Sequence, residues 1–396
     1  MTERLDGAFF ADPQEYYRRW RAEGPVRRVD FGDGLTRWII LGFEEGRAAL
    51  ADPRLVKDID LFDAMLARKR GDAADPRTSA ALRHMLNADP PAHTRLRKAV
   101  SKAFSARRVA ALEPVIERTA DELLTAMAQR EDVDLLRAFA VPLPVSVICH
   151  LLDVEIDDQD TFREWTKALV GTLDPDADPA RAYDEMVRFL RKMLQDKREN
   201  PGDDLLSVLV TDDDARLSEP ELVGMALLLL VAGHETTVNL IGNGVLALMR
   251  DRGWWDRLRA DPTLVPAAVE EFLRFDGPVD LSTPRFTNAP ITVGDTVIAA
   301  DEIVYVALAA ANRDPRHYRD ADLLDPAADH GGHLGFGHGI HFCVGAPLAR
   351  LEARVAFTAL LRRFPELRLA VDESELRWHP NVVIRGLTGL PVRPHG

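Results

Sequence analysis

The chain has 396 residues, 46% of them hydrophobic and 29% charged, and Lys+Arg 50 against Asp+Glu 64 leaves a net charge of −14. Such an acid surplus argues against nucleic acid or an anionic membrane as the main partner. With no linker, low-complexity tract or internal repeat, the expectation is one large domain over 1–396, although the length alone would suggest more.

Cysteine usage and hydropathy set the compartment. Cys149 lies in the apolar run Val145 to Leu152 and reads as a small buried hydrophobe, which leaves Cys343 without an obvious disulfide partner. A reduced, cytoplasmic protein is expected. The N-terminus has no apolar stretch of signal-peptide length. The most apolar window, Met225 to Ala232, is far shorter than the ~20 residues of a membrane span. A soluble protein with no membrane partner follows.

In chain order, Asp12-Pro13 opens a helix from Gln14 to Glu23, and Val26 to Val29 and Trp38 to Leu41 alternate like short strands around Gly32-Asp33-Gly34. A small hairpin beside many helical segments predicts a mainly α protein with small β-sheets. From Asp58 to Ala88 the pattern is weak and turn-rich, a long loop that is either a lid or a surface excursion. Acids between Asp58 and Asp63 suit an amino sugar or plain solvent.

After Asp89-Pro90-Pro91, His93 and Arg97 stand four apart and project from one helix face. They form either a solvated basic face or a clasp for carboxylates. Arg95, Arg97, Lys98, Lys102, Arg107 and Arg108 follow one another with no acid between them. Such a patch on an acidic protein invites an acidic partner. Ser105 caps a helix expected to run to about Arg130, and the stretch to Asn200 reads as scaffold broken at Pro142, Pro144, Pro175 and Pro179.

Ser218 and Glu221 form a capping box, and the apolar pattern then continues to about Arg250, a helix roughly 45 Å long. In its middle lies Ala232-Gly233-His234-Glu235-Thr236-Thr237. An acid and two hydroxyls inside an apolar helix are costly unless used. Thr236 can bond back to the Ala232 carbonyl and loosen the helix. Glu271 and Arg274 meet at i, i+3 on a later helix. Pro284-Arg285-Phe286 then opens strands between Ile291 and Val306, with a turn at Gly294-Asp295.

The chemistry concentrates in Phe336-Gly337-His338-Gly339-Ile340-His341-Phe342-Cys343-Val344-Gly345, a glycine-spaced loop running into the helical segment Ala346 to Phe364. Cys343 sits just before a helix N-terminus, whose partial positive charge favours a thiolate. His330, His333, His338, His341 and Cys343 crowd together, so zinc is one reading. A planar thiolate-bound cofactor is another, and an inert buried cysteine a third. Spacing alone leaves these open.

The loop resembles the heme-binding loop of the cytochrome P450 superfamily, FGxGxHxCxG, with every fixed position filled. The resemblance implies that Cys343 is the axial ligand of the iron in heme b, iron protoporphyrin IX, and that His341 contacts a propionate. DPPxHxxxR is similar to the family's segment here, which implies that His93 and Arg97 also reach the propionates, as does Arg285. AGHETT resembles the oxygen-activation motif, implying that Glu235 and Thr236 form the acid–alcohol pair that delivers protons during O2 activation. His234 is then structural, and His330 and His333 become ordinary loop histidines.

The same resemblance implies that Leu228, Val231, Ala232, Val279, Leu281 and Ser282 face the substrate, with Val383 at the tip of a C-terminal loop, His379 to Gly386. Glu271 and Arg274 become a buried structural pair whose usual third member is obscured, because leucine stands where arginine is common between Ala321 and Pro326. The expected activity is a monooxygenase acting on a bulky hydrophobic molecule, a macrolide, polyketide or steroid-like compound. O2 is the co-substrate, and a ferredoxin and ferredoxin reductase carry electrons from NAD(P)H to a monomer. The alternatives are a peroxide-driven peroxygenase and a non-catalytic heme sensor.

Overall fold

The computed structural model describes residues 2–70, 82–154, 165 and 179–395. They form two compact units woven from separate segments: Met1–Leu55, Glu113–Pro144 and Glu235–Gly396 make the first, Val56–Leu112 and Val145–His234 the second. The division falls inside one continuous helix, Glu219–Arg250.

In the first unit, Asp12 caps the helix Pro13–Glu23 by accepting from the Gln14 and Glu15 N–H groups, and Pro13 takes the first turn, where its missing N–H costs nothing. The expected hairpin forms between Val26–Asp30 and Thr36–Ile40, in register from Val26 opposite Ile40 to Asp30 opposite Thr36. The strand Ile303–Val306 adds parallel to Thr36–Ile40, and Arg285–Thr287 pairs antiparallel with it. Ile40, Val304 and Val306 are fully buried with Phe43, Leu50 and Leu308 in one apolar cluster. The turn at Gly294-Asp295 joins Ile291–Val293 to Thr296–Ile298. The architecture is mainly α with small sheets.

The second unit is helical. Asp58 accepts from the N–H groups of Asp60 and Leu61, which starts the helix Ile59–Arg70. This corrects the expectation of an irregular stretch from 58: the cap outweighs a weak apolar pattern. Residues 71–81 of that stretch, and Pro175, lie outside the described residues. Ser105 caps as expected, accepting from Arg108 N–H, but its helix stops at Ala111 and a second one starts at Glu113, ahead of Pro114.

Only the Glu221 half of the expected capping box forms: Glu221 Oε2 accepts from the Ser218 N–H at 2.8 Å, and the Ser218 hydroxyl donates to the same oxygen at 2.9 Å. The helix it starts is unbroken to Arg250, so the loosening expected near Thr236 does not interrupt it. By length and composition this helix could cross a membrane, which the short apolar window did not suggest. Yet 67% of its most apolar stretch is buried within the protein, as befits a core helix.

Candidate active site

The long helix carries an accessible stripe. Its neighbours Leu227, Leu229, Leu230, Val238 and Leu240 are buried, whereas Leu228, Val231, Glu235 and Thr236 keep intermediate exposure and Ala232 is exposed. Positions 228, 231, 232, 235 and 236 recur at helical spacing, so they share one face. An aliphatic edge thus leads along the helix to an acid and a hydroxyl. His234 turns off that face, is 2% exposed, and lies 2.7 Å through Nδ1 from the Leu230 carbonyl of its own helix. That is the structural role expected of it.

In the second unit, His93 and Arg97 lie one turn apart on the helix Ala92–Ala103, His93 buried and Arg97 half-buried. Burial holds the imidazole below its usual pKa, and the Arg97 charge adds to the effect. A neutral imidazole keeps one N–H and the guanidinium has only donors, so both side chains can donate from one helix face. The basic patch is partly neutralised within this unit. Arg95 forms two hydrogen bonds to the Glu221 carboxylate, and Lys102 contacts Asp212 at 3.0 Å and Asp214 at 3.4 Å. Sequence order hid those acids, which come from distant turns of the chain.

In the first unit, the loop ahead of the helix Ala346–Arg363 presents Cys343 two residues before the N-cap Gly345. The Cys343 N–H donates to the Phe336 carbonyl at 2.9 Å, closing the loop across its neck. Gly337 and Gly339 have φ of +73° and +74°, where side chains are strained. A Cβ at Gly339 would stand 2.9 Å from the Leu50 carbonyl oxygen, while at Gly337 it would meet only His341 O at 3.9 Å. One glycine is needed for close packing, and the other turns the loop where little else stands near it. A single sulfur donor on such a loop suits heme ligation.

The surrounding histidines do not converge on Cys343 as a zinc set. His330 Nε2 stands 3.2 Å from Glu271 Oε2, and His333 Nε2 stands 3.2 Å from Glu270 Oε2. They are thus more than ordinary loop histidines, since each meets a carboxylate of the helix Val265–Asp276. Arg350 also binds Glu270, at 2.7 and 2.8 Å, with its guanidinium 4.5 Å from the Phe336 ring centroid. Burial works against the Glu270 carboxylate, but Arg350 and His333 outweigh it and hold its pKa down to about 2. This cluster braces the arm of the loop opposite Cys343. Sequence reading missed it.

Arg285 is 5% exposed on its strand, with Nη1 3.5 Å from the Leu55 carbonyl. His341 ends the short turn Gly339–His341. Among the expected substrate positions, Val279 and Val383 are half-buried. Leu281 is fully buried, and the Ser282 hydroxyl accepts the Val306 N–H at 3.0 Å.

One buried acid escaped the sequence reading. Glu352 is 2% exposed on the helix Ala346–Arg363, hydrogen-bonded to Thr237 of the long helix, and burial pushes its carboxyl up to about 8. The available signal was an acid in register with the apolar positions Leu348 and Val355. Cys149 is half-buried rather than fully buried as expected, and that burial raises its thiol to about 11.

Comparison with known proteins shows which chains this one is similar to. A family model described as Cytochrome P450 matches residues 160–373. Cytochrome P450 107B1 of Saccharopolyspora erythraea is 49% identical over 394 residues, covering 98% of this chain and 97% of the relative. Vitamin D(3) 25-hydroxylase of Pseudonocardia autotrophica is 46% identical over 397 residues, covering 99% and 96%. The solved structure of the tirandamycin C-bound P450 monooxygenase TamI is similar with a TM-score of 0.91 and 48% identity, over 99% of this chain and 100% of that one.

Proposed function

This chain belongs to the cytochrome P450 family, and from that premise we propose that it oxidises a bulky hydrophobic small molecule of the macrolide, polyketide or steroid kind. As a P450 monooxygenase it is an enzyme whose family cofactor is heme b. The observation that carries the substrate reading is the accessible stripe Leu228, Val231 and Ala232, which ends at Glu235 and Thr236. Aliphatic walls with few polar groups select shape and apolar surface. Similarity to a vitamin D(3) hydroxylase and to a monooxygenase holding tirandamycin C supports that choice.

Cys343 would hold the iron through its sulfur, with His341 and Arg285 as donors for the propionates; for His93 and Arg97 the propionate role rests on the family resemblance of their segment alone. Bound heme supplies O2 activation and oxygen-atom transfer. The protein's own part is positioning and proton supply. Arg350, Glu270 and Phe336 fix the loop that carries the thiol. The Thr236 hydroxyl gives up its proton at Oγ1 and is restocked through Glu235, whose carboxylate exchanges with solvent. The aliphatic stripe excludes bulk water from that hydroxyl and seats the substrate.

Electrons would come from NAD(P)H through a ferredoxin and ferredoxin reductase to a cytoplasmic protein. Arg107 and Arg108 support such a partner, being basic and on the same short helix. The test is a spin-state titration with neutral macrolides and with vitamin D3, followed by turnover with isotopically labelled O2. The expected product gains one labelled oxygen atom. Product carrying oxygen from water, or no spin-state response to any bulky apolar compound, would overturn the reading.

A further inference from the structure

Asp280 lies between two segments that bear expected substrate positions, and its carboxylate has no part in the proton supply above. It is 3% exposed, and Tyr17, fully buried on the helix Pro13–Glu23, donates to its Oδ1 at 2.8 Å. The main chain around Asp280 is paired with the C-terminal loop. Asp280 N–H donates to Val383 O at 2.8 Å, Leu281 N–H to Val382 O at 3.3 Å, and Arg385 N–H to Pro278 O at 2.9 Å. Val279 and Ile384 face each other across an antiparallel bridge.

The far end of this loop is clamped by charge. Arg385 Nε donates to Asp276 Oδ1 at 2.9 Å and Nη1 to the Phe10 carbonyl at 3.1 Å, with the guanidinium 3.6 Å from the Trp378 ring centroid. Buried Asn243 of the long helix ties both sides by donating to the Asp276 and Arg385 carbonyls at 3.1 Å each. A Cβ at Gly386 would stand 1.7 Å from Asn239 Oδ1, so the loop is seated on that helix within two turns of Thr236.

We infer that Asp280 is a positioning residue that sets how closely the Asn381–Arg385 loop, with Val383 at its tip, approaches the substrate. The inference rests on the pocket reading above. The ionisable and charged groups that face it are Tyr17 from the N-terminal helix, Arg385 from the loop and Asp276 from its own side; the long helix contributes uncharged Asn243. As a carboxylate, Asp280 accepts the Tyr17 hydroxyl and attracts Arg385. As a carboxylic acid it loses that attraction and weakens the bond to Tyr17, so the loop relaxes. Burial pushes the carboxyl up to about 6, against the opposing pull of Arg385, so both forms occur near neutrality.

The test uses two iron ligands that stay uncharged across the range studied. 1,2,4-Triazole reads access to the iron alone, while 1-phenyl-1,2,4-triazole also touches the pocket walls. Their dissociation constants are measured from the Soret shift of the holoenzyme between about pH 5 and pH 8. In the unmodified protein the ratio of the two constants should change about five- to tenfold around pH 6, the phenyl compound binding weaker on the acid side. Asp280→Asn should abolish that step. Tyr17→Phe, which removes a bond to the carboxylate, should move its midpoint upward.

A flat ratio in the unmodified protein, or an unchanged step in Asp280→Asn, overturns the proposal. An unmoved midpoint in Tyr17→Phe does so too. A merely structural Asp280 would lower stability without moving a midpoint. Absence of any Soret response to 1,2,4-triazole itself would instead overturn the heme reading beneath it.

Discussion

Arg274 and Glu271 are joined by two hydrogen bonds of 2.7 Å, with Arg274 1% and Glu271 3% exposed. The pair is completed by backbone. Arg274 Nη1 donates to the Asn312 and Ala321 carbonyls, its Nη2 to the Leu323 carbonyl, and Glu271 accepts the Asp325 N–H at 2.7 Å. The missing third member is therefore a ring of carbonyls and an amide, with His330 alongside, so no second arginine is needed. A buried ion pair whose guanidinium N–H groups are all bonded is costly to break from one side only. Arg274→Ala should lower unfolding free energy by about 3–5 kcal/mol in denaturant titration. A loss near zero would show the pair to be dispensable.

Thr236 and Glu235 stand at the end of an aliphatic stripe. Thr236→Ala should reduce product formation about 100-fold or more while NAD(P)H oxidation continues and hydrogen peroxide accumulates. Undiminished coupling between electron input and product would remove Thr236 from the proton supply.

The Glu352 carboxyl has a folded-state pKa of about 8, above its ordinary 4.5. Between those values the native state binds more protons than the unfolded chain, so stability is greatest below the lower one and falls as pH rises through the higher one. The slope contributed is at most about 1.4 kcal/mol per pH unit. Glu352→Gln should flatten that fall in denaturant titrations from pH 5 to pH 9. A slope unchanged by the substitution would mean that other groups cause it.

Arg107 and Arg108 remain on the short helix after Arg95 and Lys102 are engaged by acids. Reversing both charges should slow reduction by ferredoxin about tenfold at low salt and spare peroxide-driven turnover. Equal loss in both assays would locate the defect in the pocket or the fold.

Local patterns in the sequence carried most of the candidate site. The Cys343 loop, the Glu235-Thr236 step and the Ser218 cap are contiguous, so residue type and spacing exposed them. The partners of Glu270 and Glu271 were hidden because Arg350, His333 and the carbonyls near Leu323 arrive from remote turns. The Ile59–Arg70 helix escaped because a single aspartate cap starts it where apolar periodicity is weak. The bond from the Val306 N–H to the Ser282 hydroxyl was hidden as well, since the two segments are remote in sequence. Asp280 and Glu352 were visible only as acids among apolar neighbours, and burial gives them their character.

The most direct test of the account is the absorption spectrum of the reduced, purified protein under carbon monoxide, recorded for the unmodified chain and for Cys343→Ser. A Soret band at the long-wavelength position of thiolate-ligated heme, lost in the variant, is the predicted result. A band typical of histidine or neutral-thiol ligation in the unmodified protein, or one that survives in Cys343→Ser, would contradict it.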